Sequence, residues 1–274
     1  MFWFRLILGI SYASVAGASK KALFLIGDST YAQLYAEKLV ARCNGVVDPR
    51  ALKNLEHSAC TNASEPKTCH YAYEAYVCGL DAPFSQIGYA LHWGVGAEPY
   101  HVQWPFHRSP NDTLNSVRNI ELAAEEFVQR SNGTNAYYVF LSVFWDIRRY
   151  LDHFTSTSTW SRYIQQYEDD LISTITMIRQ KIRKTDNLAL ATCHLPAPWL
   201  SSYACVMNSI VRKTAGNLHT LGIELFDEAQ LFDNTCSKDY LKDDMHQNSV
   251  AAEKILEMLI RTVAPDYYVS ATIT

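Results

Sequence analysis

The sequence predicts a three-layer α/β sandwich, a sheet of parallel strands covered by helices on both faces. Three observations carry that expectation. Short apolar runs recur along the chain and alternate with segments of helical periodicity. The first of these runs, Ala22 to Ile26, is apolar throughout rather than alternating, which suits a central parallel strand buried on both faces. The 274-residue chain shows no internal repeat and no low-complexity tract, and its length fits one large domain rather than two.

In chain order, Ala22 to Ile26 reads as the first strand, and Gly27 permits a tight turn into a helix over Tyr31 to Arg42. A long irregular stretch follows, from about residue 43 to 115, rich in cysteine and aromatic residues. Loops of that length inside a compact domain tend to be functional. The second strand is expected within it, at Glu98 to Val102. Ser116 to Gln129 reads as a helix with Val117, Ile120, Ala124 and Phe127 on one face. Tyr137 to Val143 and Leu188 to Thr192 are the next buried strands, with a long amphipathic helix, Tyr163 to Lys184, between them. Ser202 to His219 reads as helix, Ile223 to Phe226 as the fifth strand, and Ser249 to Thr262 as the closing helix.

Residues 1–18 read as a secretory signal, with a lone Arg5, an apolar core and Ala16-Gly17-Ala18 before Ser19. An uncleaved anchor is the alternative, although the apolar stretch is short for a membrane span. Residues 19–274 are then the mature domain, secreted and with no stable membrane association once the signal is removed. The sequons at Asn62, Asn111 and Asn132 accord with that route. Of the seven cysteines, Cys43, Cys60, Cys69 and Cys78 crowd one insertion and are expected to pair within it. Cys193 with Cys205 is the expected further bridge, leaving Cys236 free. Without its leader the chain is one charge more acidic than its net −4. A mild acidic balance argues against nucleic acid as a partner.

The chemistry gathers in two short motifs at opposite ends of the mature chain. The first strand stops at Gly27-Asp28-Ser29, and Leu241 to Asn248 reads LKDDMHQN, with Asp243 three residues before His246. A serine at a strand's exit, a base and an acid form a complete nucleophilic set. The weak hydroxyl needs an imidazole to take its proton, and a carboxylate must orient that imidazole. The bland alternative is a helix-capping Ser29 or Thr30 and an unrelated loop histidine. Asp244 competes with Asp243 as the partner of His246. Asp28 is expected to fix its turn through backbone N–H groups. His92, His101 and His107 share the long stretch with Trp93, Tyr100, Trp104 and Phe106, at spacings that give no reason to expect a metal site. The aromatic residues suit either stacking on sugar rings or packing the insertion onto the sheet. His194, just past the fourth strand, is a possible substrate contact.

With these residues the chain resembles the SGNH (GDSL-type) hydrolase superfamily. Within it, the chain is most similar to the PC-esterase branch, which also holds the trichome-birefringence-like O-acetyltransferases. The matching pieces are Gly27-Asp28-Ser29, the stretch Leu141 to Arg148, and Asp243-x-x-His246. The resemblance implies a flavodoxin-like five-stranded parallel sheet and acyl transfer or hydrolysis on an oxygen, without metal or organic cofactor. It assigns Ser29 as nucleophile, His246 as base and Asp243 as its orienting carboxylate. Leu141 stands where the branch carries an oxyanion-binding asparagine, while Ser142, Trp145 and Asp146 match. Gly88 is the candidate for the family's glycine N–H donor, Ser142 and Arg148 are candidates to replace the asparagine, and Trp145 and Asp146 to line the cleft. The expected substrate is an acylated, preferably O-acetylated, carbohydrate or lipid. The alternatives are an O-acyltransferase using the same triad, and a catalytically silent glycan-binding protein.

Overall fold

The computed structural model describes residues 20–47, 73–92, 94–95, 116–131, 133–153, 157–194, 196, 198–233, 238–243 and 246–267. The expected leader, the three sequon asparagines, Cys60, Cys69, Cys236, Asp244, Trp93, His101, His107 and the strand expected at Glu98 to Val102 lie outside these residues.

Strand β1 (Ala22–Gly27) is buried along its whole length and forms the centre of the sheet. Helix α1 (Ser29–Leu34) follows after one residue and continues through a π-helical turn, Tyr35–Leu39, into α2 (Val40–Cys43). The chain then forms β2 (Val46–Val47), β3 (Tyr73–Val77) and β4 (Gln86–Leu91). Helix α3 (Ser116–Arg130) leads to β5 (Ala136–Leu141), then α4 (Phe144–His153) and α5 (Thr157–Lys181). Strand β6 (Asn187–Ala191), α6 (Pro198–Asn217), β7 (Ile223–Phe226) and α7 (Ser249–Val263) complete the order.

The sheet runs β2-β3-β4-β1-β5-β6-β7. Its five parallel strands, β4-β1-β5-β6-β7, have the doubly wound order in which the chain moves from the centre to one side and then to the other. The three-layer architecture expected from the sequence is therefore present. Helices α3, α5 and α6 pack side by side, while α7 packs on the π-helical turn that follows α1. Both faces of β1 and β5 are covered, which is why their side chains are apolar on both sides.

The second parallel strand differs from expectation. It is β4, and the antiparallel β2 and β3 extend the sheet beyond it. The Cys43–Cys78 disulfide ties the end of α2 to the exit of β3, closing a sequence separation of 35 residues. The expected Cys193–Cys205 bridge is absent: Cys193 is buried beyond β6, whereas Cys205 faces solvent on α6. Asn208, one turn after Cys205, bonds both the N–H and the carbonyl of Cys193, so the interior side of α6 meets β6 through an amide instead.

Candidate active site

Open sheets of this order bind ligands at the carboxyl ends of the strands where the winding reverses, here around the exits of β1, β4 and β5. Asp28 is the single residue between β1 and α1. Its Oδ1 accepts hydrogen bonds from the Thr30 N–H at 2.9 Å and the Thr30 hydroxyl at 2.6 Å. Tyr89 OH, from β4, donates to the Asp28 carbonyl at 2.8 Å. These bonds fix the turn that carries Ser29 at the first position of α1, where backbone N–H groups lack intrahelical acceptors. Burial pushes the Asp28 carboxyl up from its ordinary value, against the two Thr30 bonds and the nearby His194.

The other motif forms a closed loop. Leu241 bridges Gln247, the Lys242 N–H bonds the His246 carbonyl at 2.8 Å, and the Asn248 N–H bonds the Tyr240 carbonyl at 2.8 Å. Asn248 then caps α7, its side-chain oxygen accepting from the N–H groups of Val250 and Ala251. Inside the loop the Asp243 carboxylate accepts from the His246 N–H at 2.7 Å and faces the ring Nδ1 at 2.8 Å. An ionised carboxylate only accepts, so Nδ1 carries the proton and Nε2 is left as the basic nitrogen.

The two motifs meet through their neighbours. Gln247, adjacent to His246, donates from Nε2 to the carbonyl of Thr30, adjacent to Ser29, at 2.8 Å across a sequence separation of 217 residues. Lys38 and Arg42 reinforce the approach, bonding Ser249 at 2.8 Å and Glu253 at 2.9 Å on α7.

The expected oxyanion and cleft residues fare differently. Gly88 lies in the middle of β4, registered with Phe24 on one side and Ala75 on the other. A Cβ there would stand 2.4 Å from the Phe127 ring, so this glycine admits close packing of α3 and sits below the strand exit where an oxyanion donor belongs. The glycine beyond the exit is Gly94, at φ +94. Ser142 and Asp146 are both buried. The Ser142 hydroxyl donates to Asp146 Oδ2 at 2.6 Å, and the Val95 N–H donates to Asp146 Oδ1 at 3.0 Å. The serine's proton is thus committed and each carboxylate oxygen holds a partner, so this pair braces the loop after β4. Trp145 and Arg148 lie half-buried in the first turns of α4.

His194 is enclosed rather than presented to a cleft. Its Nδ1 stands 3.0 Å from Glu228 Oε1, with both side chains buried, and the rings of Phe144 and Phe232 flank it. Sequence reasoning missed Gln247 and gave no role to His92, which joins the exits of β4 and β5. The adjacency of Gln247 to His246 was its only signal. Among the described residues, no three His, Cys, Asp or Glu side chains converge to hold a metal.

No family model matches the sequence, and no curated protein matches it. Solved structures do. The chain is similar to an acetylxylan esterase from Geobacillus stearothermophilus, at 12% identity over 91% of this chain and 97% of that one, with a TM-score of 0.46. It is similar to a member of the lipolytic G-D-S-L family from Veillonella parvula, at 8% identity over 88% and 97%, TM-score 0.47. A carbohydrate esterase family 3 protein from Talaromyces cellulolyticus matches at 12% identity over 90% and 98%, TM-score 0.46.

Proposed function

We propose that the chain is a secreted serine esterase of the SGNH type that hydrolyses O-acyl esters, preferably O-acetyl groups on a carbohydrate. The observation that carries the reading is the Asp243–His246 pair, oriented at 2.8 Å and docked beside the Ser29 turn through the Gln247–Thr30 bond. In the proposed cycle the Ser29 hydroxyl attacks the ester carbonyl while His246 Nε2 takes its proton. The tetrahedral oxyanion collapses, the C–O bond to the alcohol breaks, and His246 returns the proton to the leaving oxygen. Water then gives a proton to His246 and attacks the acyl-enzyme; the bond to Ser29 Oγ breaks, His246 returns the proton to that oxygen, and the acid leaves. Asp243 holds the ring in the tautomer both steps require.

The Ser142-x-x-Trp145-Asp146 pattern supports the PC-esterase branch, and with it an acylated glycan as substrate. The leader at residues 1–18 supports export, as does the Cys43–Cys78 disulfide, since such bonds persist in oxidising compartments. None of the described helices is long and apolar enough to cross a membrane.

The test is hydrolysis of 4-nitrophenyl acetate by the purified protein and by Ser29→Ala, with fluorophosphonate labelling of both. The variant is expected to lose activity by about 10⁴-fold or more and to escape labelling. Equal rates with no label on Ser29 would leave no esterase.

A further inference from the structure

His92 is the first residue beyond β4; it is buried, and its main chain and ring together connect three strand exits. Its N–H donates to the Gly27 carbonyl at 3.0 Å, continuing the β1–β4 ladder to the base of the Ser29 turn. Its ring stacks on Phe140 of β5, with centroids 5.0 Å apart. Nε2 lies 2.7 Å from the Leu141 carbonyl at the end of β5. A carbonyl oxygen only accepts, so Nε2 carries hydrogen. Nδ1 in turn takes the Gly94 N–H at 3.1 Å and is therefore bare. The two contacts define one tautomer of a neutral ring.

The topology gives this contact its meaning. Strands β4 and β5 lie on opposite sides of β1, two strand spacings or about 10 Å apart. The imidazole therefore crosses the end of β1, under the turn that carries Ser29. Asp146 adds a second tie between the same two exits, through Val95 and Ser142. It is also why position 94 is glycine: a Cβ there would stand 2.6 Å from Asp146 Oδ1. With Leu141 in place of the branch's asparagine, oxyanion donors must come from elsewhere, and main-chain N–H groups at these exits are useful only if the loops are held in place.

We propose that His92 is a positioning residue, a neutral Nε2-protonated ring that spans the end of β1 and holds the β4 and β5 exits at the spacing the Ser29 turn requires. The proposal rests on the esterase reading and assigns His92 no proton transfer.

Two variants separate bridging from bulk. His92→Phe keeps the ring stacked on Phe140 and removes both ring hydrogen bonds. His92→Gln places an amide N–H where Nε2–H stands and keeps the bond to Leu141. Esterase kinetics on 4-nitrophenyl acetate are expected to show kcat lowered about 10-fold or more in His92→Phe with KM little changed, because small misplacements in a site are costly. His92→Gln is expected to recover to within about 3-fold of wild type, since most of the loss follows from the bridge. Nitrogen NMR of the wild-type ring should show Nε2 protonated and Nδ1 bare, a readout that stands even if a variant does not fold. A kcat unchanged in His92→Phe, a folded His92→Gln as slow as His92→Phe, or a ring protonated at Nδ1 overturns the positioning role and leaves the esterase reading intact. A wild type whose hydrolysis does not depend on Ser29 overturns both.

Discussion

The two halves of the candidate site are built by different means. The Ser29 turn sits on the central strand, with Asp28 buried beneath it and bonds from Thr30, Tyr89 and His92 converging on Gly27 and Asp28. The acid–base loop is a surface feature. The Asp243 side chain is 53% exposed and that of His246 is 29% exposed. Its geometry comes from its own short hydrogen bonds, from the Asn248 cap on α7, and from the buried amide of Gln247 that reaches the other half. A part made by the core tolerates little change without loss of the fold. A part made by a loop can be altered residue by residue, and its chemistry read separately from its stability.

The largest effect that sharpens this contrast is expected at Asp243. Asp243→Asn leaves a side chain of the same shape but removes the acceptor that fixes the His246 tautomer, and kcat should fall about 10²-fold or more. The upper part of that range belongs to buried triads, and water around this exposed carboxylate replaces some of the loss. Thermal stability should stay near wild type because the residue lies outside the core. A fall below about 3-fold would show that another group, Asp244 among the candidates, orients the base.

Gln247 should show a smaller effect, and one that falls on both halves. Gln247→Leu fills similar volume while removing the amide's bond to the Thr30 carbonyl, a loss of about 0.5–1.5 kcal/mol of stability. With the tether gone the loop can drift from Ser29, and kcat should fall about 10-fold at similar KM. Chemical unfolding and steady-state kinetics on the same preparation read the two together. A stability loss with kcat unchanged would mean that the Leu241–Gln247 bridge and the α7 cap hold the loop on their own.

The same division explains what could be read from sequence. Strands β1, β5 and β6 were legible because each carries a continuous apolar run ended by a turn, the signature of burial on both faces, and β7, which includes Glu224, by its place between helical segments. Strand β4 was hidden by Gly88, which looks like punctuation or a donor and is instead a position where Phe24 and Phe127 leave no room for a Cβ. Strand β3 mixes Glu74 with tyrosines near an edge and gives no such run. Asp146 looks like a cleft residue because it follows a motif at a strand exit. Only the fold shows both its oxygens occupied from Ser142 and Val95. The Asp-x-x-His spacing, by contrast, is local, and the hydrogen bond it implies was readable because four residues suffice to form it. Contacts that cross from strand to strand, such as those of His92, carry no sequence signal at all.

The smallest effect is expected at Asp28, where it tests the core half. The folded carboxyl titrates above its ordinary value of 3.8 because burial disfavours the charge. The folded state therefore binds the proton more tightly than the unfolded chain. That contribution to stability is fully present below 3.8 and is lost as pH rises through the raised folded value. Asp28→Asn keeps an oxygen for the Thr30 N–H and hydroxyl and carries no charge to bury. Its stability should then decline less than that of wild type over the same rise in pH, and equal or exceed it at neutral pH, with kcat within a few-fold. Urea unfolding of both proteins at several pH values gives the difference directly, free of groups that titrate alike in each. A variant less stable at neutral pH and equally stable in acid would mean that the carboxylate is held by favourable partners, the Thr30 bonds first and His194 after them. The turn under Ser29 would then depend on a buried charge rather than on hydrogen bonding alone.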